Sequence, residues 1–176
     1  MRLLLDTGVL GRLCHSSRQQ YVPLRERLDA FLALDEDRNQ VVVPEIADYE
    51  LRRKLLHLAM RADASYAGVD RLDQTCVAFF YLPIDTDAMQ TAAELWARAR
   101  HAGRPTAPPQ GLDADVILAA QAIQVGGTVV TTNRKHLSQF VPTGETMSTS
   151  RRRGRTCYKL GVIQISRGHD PCPPSV

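Results

Sequence analysis

Four oxygen-bearing side chains stand where the sequence could build a metal site. Asp6 follows the apolar run 2–5, Glu50 lies in a helix after Val41-Val42-Val43, Asp115 begins an apolar helix, and Asn133 follows the strand-like stretch 128–132. An ionised carboxylate beside apolar elements is costly unless its charge is compensated. Mg²⁺ and Mn²⁺ compensate it and prefer oxygen ligands. Such an ion activates water and stabilises charge on a phosphate under in-line attack, so the pattern indicates phosphodiester chemistry.

Each of these residues also has a purely structural explanation. Asp6 can cap the helix that follows it. Glu50 sits in a charged run and can form a surface ion pair. Asp113 and Asp115 fall in the first turn of a helix, where the helix macrodipole stabilises acidic side chains. Asn133 can be a turn residue. Only their joint order and placement favour a site.

The assignment of Glu50 depends on the phase of a long helix predicted over 45–62. Glu50 shares a face with Ile46 at i+4, while Glu45 and Asp48 compete for the same role. The inner side of this helix is predicted to carry Ile46, Tyr49, Leu51, Leu55, Leu58 and Ala59.

Strand-like and helical segments alternate along most of the chain. Strands are predicted at 2–5, 41–43, 79–84 and 128–132, and helices at 9–14, 21–34, 45–62, 69–78, 85–101 and 113–125. This alternation predicts a parallel sheet with helices on both faces. Sites in such sheets lie beyond the carboxyl ends of the strands, where Asp6 and Asn133 are expected.

Charge divides the chain into a body and a tail. The 176 residues carry a net charge of +3, but six of the 22 basic residues and one of the 19 acidic ones lie from Arg151 onward, leaving a body of about −2. We expect a domain over 1–142 and a basic, flexible tail over 143–176, in which 159–165 could form one edge strand.

Composition excludes several classes of protein. No apolar stretch approaches the length needed to cross a bilayer, and no signal peptide is seen. The four cysteines are far apart and lack metal-ligand spacing, which favours reduced thiols. We therefore expect a cytoplasmic protein without a membrane partner.

The sequence resembles the PIN-domain family, in particular its VapC-type toxin branch. The resemblance covers about residues 1–142. It rests on Leu-Leu-Leu-Asp-Thr-Gly-Val-Leu at the N-terminus, Val-Pro-Glu-Ile-Ala-Asp-Tyr-Glu-Leu-Arg-Arg around Glu50, Leu-Asp-Ala-Asp-Val-Ile-Leu-Ala-Ala-Gln-Ala around Asp115, and Val-Val-Thr-Thr-Asn-Arg-Lys-His-Leu around Asn133.

The resemblance implies a three-layer α/β/α sandwich with a central parallel sheet. It implies that Asp6, Glu50 and Asp115 bind Mg²⁺ or Mn²⁺, with Asn133 at a fourth catalytic position that is often Asp. Asn keeps an oxygen but loses a charge, which Asp113, one turn away, could supply. The resemblance also implies that Thr7 and either Thr131 or Thr132 provide hydroxyls that hold a carboxylate or water.

The implied activity is that of a metal-dependent endoribonuclease, the toxin of a toxin–antitoxin pair. Its partners would be RNA, a small antitoxin and a second copy of the chain in a homodimer. Arg53, Arg134 and Lys135 are the candidate RNA contacts, and Arg12, Arg52 and Lys54 are further basic residues. The alternative is a PIN fold that binds RNA or protein with weak or no catalysis, which Asn133 favours.

Two other enzyme classes fit less well. Asp6-Thr7-Gly8 matches the aspartic-protease tripeptide, but those enzymes are all-β and this chain is mostly helical. Haloacid-dehalogenase-type phosphatases need a second Asp where Gly8 stands.

Overall fold

The computed structural model describes residues 1–16, 18–62, 66–104, 108, 113–131, 137, 140 and 161–164. Strands and helices alternate through the described chain, as the sequence predicts. In chain order they are β1 (Arg2–Leu5), α1 (Thr7–Leu13), α2 (Arg18–Leu34), β2 (Gln40–Pro44), α3 (Glu45–Ala62), α4 (Ala67–Ala78), β3 (Phe80–Leu82), α5 (Thr86–His101), α6 (Ala114–Gln124), β4 (Thr128–Thr131) and β5 (Gly161–Gln164).

The sheet has the strand order β3-β2-β1-β4-β5. Strands β1 to β4 are parallel to their neighbours, and β5 pairs antiparallel to β4. β1 is central, with Leu4 opposite Val42 of β2 and Val129 of β4. The predicted parallel sheet in an α/β/α sandwich is confirmed.

Side chains alternate between the two faces of the sheet and build two cores. Leu4, Val42 and Val129 pack with α6 and with Ala92 and Leu95 of α5. Leu3, Leu5, Val41, Val43 and Val130 point to the other face and pack with α1, α2 and Leu72 of α4. Strands buried on both faces are continuously apolar, which explains the Leu-Leu-Leu and Val-Val-Val runs.

Helix ends follow the sequence signals. The Asp85 carboxylate accepts a hydrogen bond from the Ala88 amide at 2.8 Å and caps α5. Gly126, just after α6, has a φ of +59°, a left-handed conformation that glycine adopts without strain.

The inner side of α3 differs from its prediction. Ile46, Leu51 and Ala59 are buried, but Tyr49 is 50% exposed and Leu58 is 58% exposed. Tyr49 lies two residues from Leu51, and two residues turn a helix by about 200°. Burying Leu51 therefore turns Tyr49 outward. The predicted inner placement was wrong for Tyr49 and for Leu58.

The end of the chain is described only in part. β5 falls inside the edge strand predicted over 159–165, which is confirmed, while residues 141–160 and 165–176 lie outside the described residues. The boundary between domain and tail at residue 142 stays a prediction. No helix in the described ranges has the length and apolar character to cross a membrane. Cys14 and Cys76 are free thiols, and the other two cysteines are not among the described residues.

Candidate active site

Asp6 stands between the central strand and the first helix. Its backbone N–H donates to the Val130 carbonyl at 3.1 Å and so continues the pairing of β1 with β4. Its carboxylate accepts a hydrogen bond of 2.6 Å from the Thr131 hydroxyl. Although Asp6 occupies the N-cap position of α1, its side chain makes no capping hydrogen bond. The Thr131 hydroxyl, rather than a capping hydrogen bond, therefore holds this carboxylate, although the amides of Thr7 and Gly8 at the start of α1 also favour its charged form.

Glu50 lies on α3 and faces the residue that follows Asp6. Its carboxylate accepts a hydrogen bond of 2.7 Å from the Thr7 hydroxyl. The Arg53 guanidinium lies 3.4 Å from its other oxygen. Because Thr7 directly follows Asp6, this bond holds the two carboxylates at one end of the sheet.

The electrostatic environment of Asp6 disfavours its charged form. Burial raises the pKa of Asp6 above its usual 3.8, and repulsion from Glu50 raises it further. The Thr131 hydroxyl and the amides of Thr7 and Gly8 lower the pKa, but not enough to cancel burial. The two carboxylates therefore carry negative charge that the surrounding protein compensates only in part.

The start of α6 carries the other two predicted acids. Asp113 is buried and occupies the N-cap position, where its carboxylate accepts from the Val116 amide at 3.4 Å. This capping bond engages the carboxylate that could supply the charge missing at Asn133. Asp115 is half-buried in the first turn of α6, where the helix dipole favours negative charge.

The acids that competed with Glu50 have other partners. Glu45 accepts a hydrogen bond of 2.6 Å from the Ile84 amide, which ties α3 to the segment after β3. Asp48 accepts from the Tyr81 hydroxyl at 3.1 Å and forms an ion pair of 3.0 Å with Arg52. Of the three acids, Glu50 is the one bonded next to Asp6.

The partners of the predicted basic residues also distinguish them. Arg52 is held between Asp48 and Asp73, 2.7 Å from the latter, so it is engaged within the fold. Arg53 is half exposed and touches Glu50. Asn133, Arg134 and Lys135 lie outside the described residues, as does Thr132.

The ion pair that the sequence analysis offered as a structural explanation of Glu50 is present, and its partner is Arg53. Their i, i+3 spacing on a helix was the available signal, since residues three apart are neighbours on its surface. The sequence also left open which threonine meets an acid in the strand-end pair 131–132. The structure shows that Thr131 does so.

The donor set suits a hard cation but is incomplete in the described part of the chain. Asp6 and Glu50 offer carboxylate oxygens, which Mg²⁺ and Mn²⁺ prefer. Among the described residues, no group of three histidine, cysteine, aspartate or glutamate side chains is placed to hold a metal ion. The arrangement thus supplies a pair of ligands whose shared negative charge a divalent ion would neutralise.

Three known structures with a similar fold are of VapBC proteins. VapBC2 from Rickettsia felis, bound to a DNA fragment from its promoter, matches with a TM-score of 0.62 and 17% identity, over 79% of this chain and 92% of that one. DNA-bound VapBC from Salmonella typhimurium matches with a TM-score of 0.55 and 20% identity, over 78% of this chain and 91% of that one. VapBC-1 from nontypeable Haemophilus influenzae matches with a TM-score of 0.56 and 15% identity, over 79% of this chain and 92% of that one. At these identities the similarity shows the fold.

No curated protein matches the chain. The PIN domain model matches residues 3–140, which include all of β1 except Arg2, the whole of β2 to β4, and all five predicted site positions. The chain belongs to the PIN domain family.

Proposed function

We propose that this chain is a metal-dependent endoribonuclease, the toxin of a toxin–antitoxin pair. The observation that carries the proposal is the pair formed by Asp6 and Glu50. Each carboxylate is held by a threonine hydroxyl, and their repulsion helps to raise the pKa of Asp6. A fold gains little from two such acids in one place, whereas a cation site requires them.

Asp6, Glu50 and Asp115 are the proposed ligands of Mg²⁺ or Mn²⁺. Asn133 takes the fourth catalytic position by resemblance, and Asp113 supports the start of α6. When bound, the ion supplies an activated water and stabilises charge on the phosphate.

The protein's own groups orient this site. Thr131 fixes one oxygen of Asp6, and Thr7 fixes one oxygen of Glu50. Arg53 offsets part of the charge of Glu50. Arg53 is also a proposed contact for an RNA phosphate, alongside Arg134 and Lys135.

The proposed partners follow from the family and its structural neighbours. Those neighbours are complexes of a toxin with its antitoxin. We propose that a small antitoxin covers the acidic site of this chain, and that two copies form a homodimer in the cytoplasm. Growth arrest on expression, relieved by Asp6→Asn or by a small protein encoded in an adjacent reading frame, would support the toxin role.

Cleavage of a mixed RNA pool in Mg²⁺, Mn²⁺ or EDTA tests the enzyme itself. The wild type is compared with an Asp6→Asn, Asp115→Asn double variant. Arg98→Ala, which breaks an exposed ion pair elsewhere, is the control. We expect metal-dependent cleavage by the wild type and the control only. Equal cleavage by the double variant would refute the assignment of the site.

The alternative is a PIN fold that binds RNA or protein without efficient catalysis. Two observations favour it: Asp113 is engaged as a helix cap, and the described residues hold no group of three metal ligands. Metal-independent RNA binding by the wild type and the double variant, without cleavage by either, would establish this alternative.

A further inference from the structure

An exposed aromatic ring lies beside the acidic pair. Tyr49 precedes Glu50 on α3 and is 50% exposed. The Arg53 guanidinium carbon lies 5.4 Å from the centre of the Tyr49 ring, over its face. Arg53 also contacts Glu50 at 3.4 Å. The three side chains thus form a continuous strip from a candidate metal ligand to an open aromatic surface.

A single exposed tyrosine is common and often has no role. Tyr66 is a suitable comparison because it is exposed to the same degree, 51%, but stands before α4, beyond the opposite end of α3. Tyr49 differs by its position next to Glu50 and by the cation on its ring. Arg53 also restricts the ring, so that stacking a ligand on it costs less conformational entropy.

Aromatic rings and arginine planes are surfaces on which unpaired nucleobases stack. Bases inside a duplex are already stacked and cannot use such a surface. The positive charge of Arg53 also suits the adjoining phosphate. We propose that Tyr49 and Arg53 form a stacking platform for one unpaired base of single-stranded RNA, beside the phosphate that is cleaved at Asp6 and Glu50. This inference rests on the proposed ribonuclease function.

RNA binding in EDTA measures the platform without cleavage. The probe is a single-stranded RNA oligonucleotide with 2-aminopurine placed at each position in turn, because stacking quenches its fluorescence. We expect wild type and Tyr49→Phe to quench one position strongly. Tyr49→Leu should lose this quenching and bind about tenfold more weakly, as expected for one lost stacked base.

Tyr66→Leu is the matched control and should bind like the wild type. The same sequence as a duplex should bind with an affinity that does not depend on residue 49. Equal binding and quenching by Tyr49→Leu and the wild type would overturn the platform, as would an equal effect of Tyr66→Leu. Absence of any single-stranded RNA binding would also overturn it.

The cleavage assay separates this inference from the proposed function. A wild type that cleaves RNA, with a Tyr49→Leu variant unchanged in KM and quenching, refutes the platform alone. A wild type that stacks the probe but never cleaves RNA with either metal refutes the nuclease alone. In an active enzyme, Tyr49→Leu should raise KM more than it lowers kcat, because the platform binds RNA away from the reacting atoms.

Discussion

Replacing Thr131 with valine should raise the pKa of Asp6 and weaken metal binding. Valine keeps the shape of this fully buried side chain but removes the hydroxyl that donates to Asp6 at 2.6 Å. A hydrogen bond to a charged group contributes about 1.5 to 3 kcal/mol. Because the lost bond favours the charged form, the pKa of Asp6 should rise in the variant.

The sign of the pH effect follows from the direction of this shift. The pKa of Asp6 already lies above its unfolded value of 3.8, so the folded protein binds this proton more tightly. Stability of the metal-free protein therefore falls as pH rises from 3.8 through the folded pKa. In Thr131→Val this fall extends to higher pH and costs about 1.5 to 3 kcal/mol more at neutral pH. Below the unfolded pKa the two proteins should differ least.

The pKa of Asp6 can be followed through Mn²⁺ affinity, measured as a function of pH by calorimetry or thermal shift. Because a carboxylate ligand must lose its proton to bind, affinity rises with pH and levels off above the ligand pKa. The levelling should move to higher pH in Thr131→Val, and at pH below it the variant should bind Mn²⁺ about 10- to 150-fold more weakly than the wild type. Thr128→Val, at a buried threonine of the same strand, is the control. A folded Thr131→Val protein whose affinity profile coincides with the wild type would refute the role assigned to this hydroxyl.

Three further substitutions test the supports of the site and the fold. Thr7→Val removes the hydroxyl from Glu50 and should lower Mn²⁺ affinity by about tenfold, within the range for groups that orient metal ligands. Arg52→Ala leaves buried Asp48 without its ion pair and should reduce the free energy of unfolding by about 1 to 3 kcal/mol in urea titrations. Gly127→Ala should cost about 1 to 3 kcal/mol, because the new methyl group would overlap a leucine of β1.

The two stability variants, Arg52→Ala and Gly127→Ala, each have a control in the described structure. Arg98→Ala breaks an exposed pair and should change stability by less than about 0.5 kcal/mol. Gly11→Ala has room within α1 and should stabilise by about 0.5 to 1 kcal/mol. If Arg52→Ala costs no more than Arg98→Ala, the buried network is not stabilising. If Gly127→Ala matches Gly11→Ala, the close packing against β1 is not real. Unchanged Mn²⁺ affinity in Thr7→Val would leave Glu50 without its proposed support.

The sequence could predict the strand-end position of Asp6 because that position depends on local pattern. Three leucines in a row indicate a strand buried on both faces, and the first polar residue after it must lie at the edge of the sheet. Glu50 was less secure, because Glu45 and Asp48 lie on the same helix. The three acids are distinguished only by their partners. Glu45 accepts from Ile84 and Asp48 pairs with Arg52, whereas Glu50 accepts from Thr7.

The exposed side of α3 could not be predicted from its composition. Apolar residues occur around much of this helix, so periodicity alone does not fix which side is buried. Tertiary packing of Leu51 decided it and turned Tyr49 to the surface. The same packing brought Arg53 over the ring and against Glu50, a contact that depends on side-chain conformation rather than on spacing alone.

The candidate site and the apolar core depend on one another through the register of β1 and β4. Leu5 is opposite Val130, so the next residues, Asp6 and Thr131, meet side by side. A slip of one residue would move Val130 from its core to the opposite face of the sheet, where Val129 belongs. The two cores therefore penalise a one-residue slip, which would also separate this hydroxyl from this carboxylate. The packing that buries Asp6 makes its negative charge costly, and the same packing places the Thr131 hydroxyl that partly stabilises this charge. A divalent cation would neutralise the charge that the hydroxyl does not compensate.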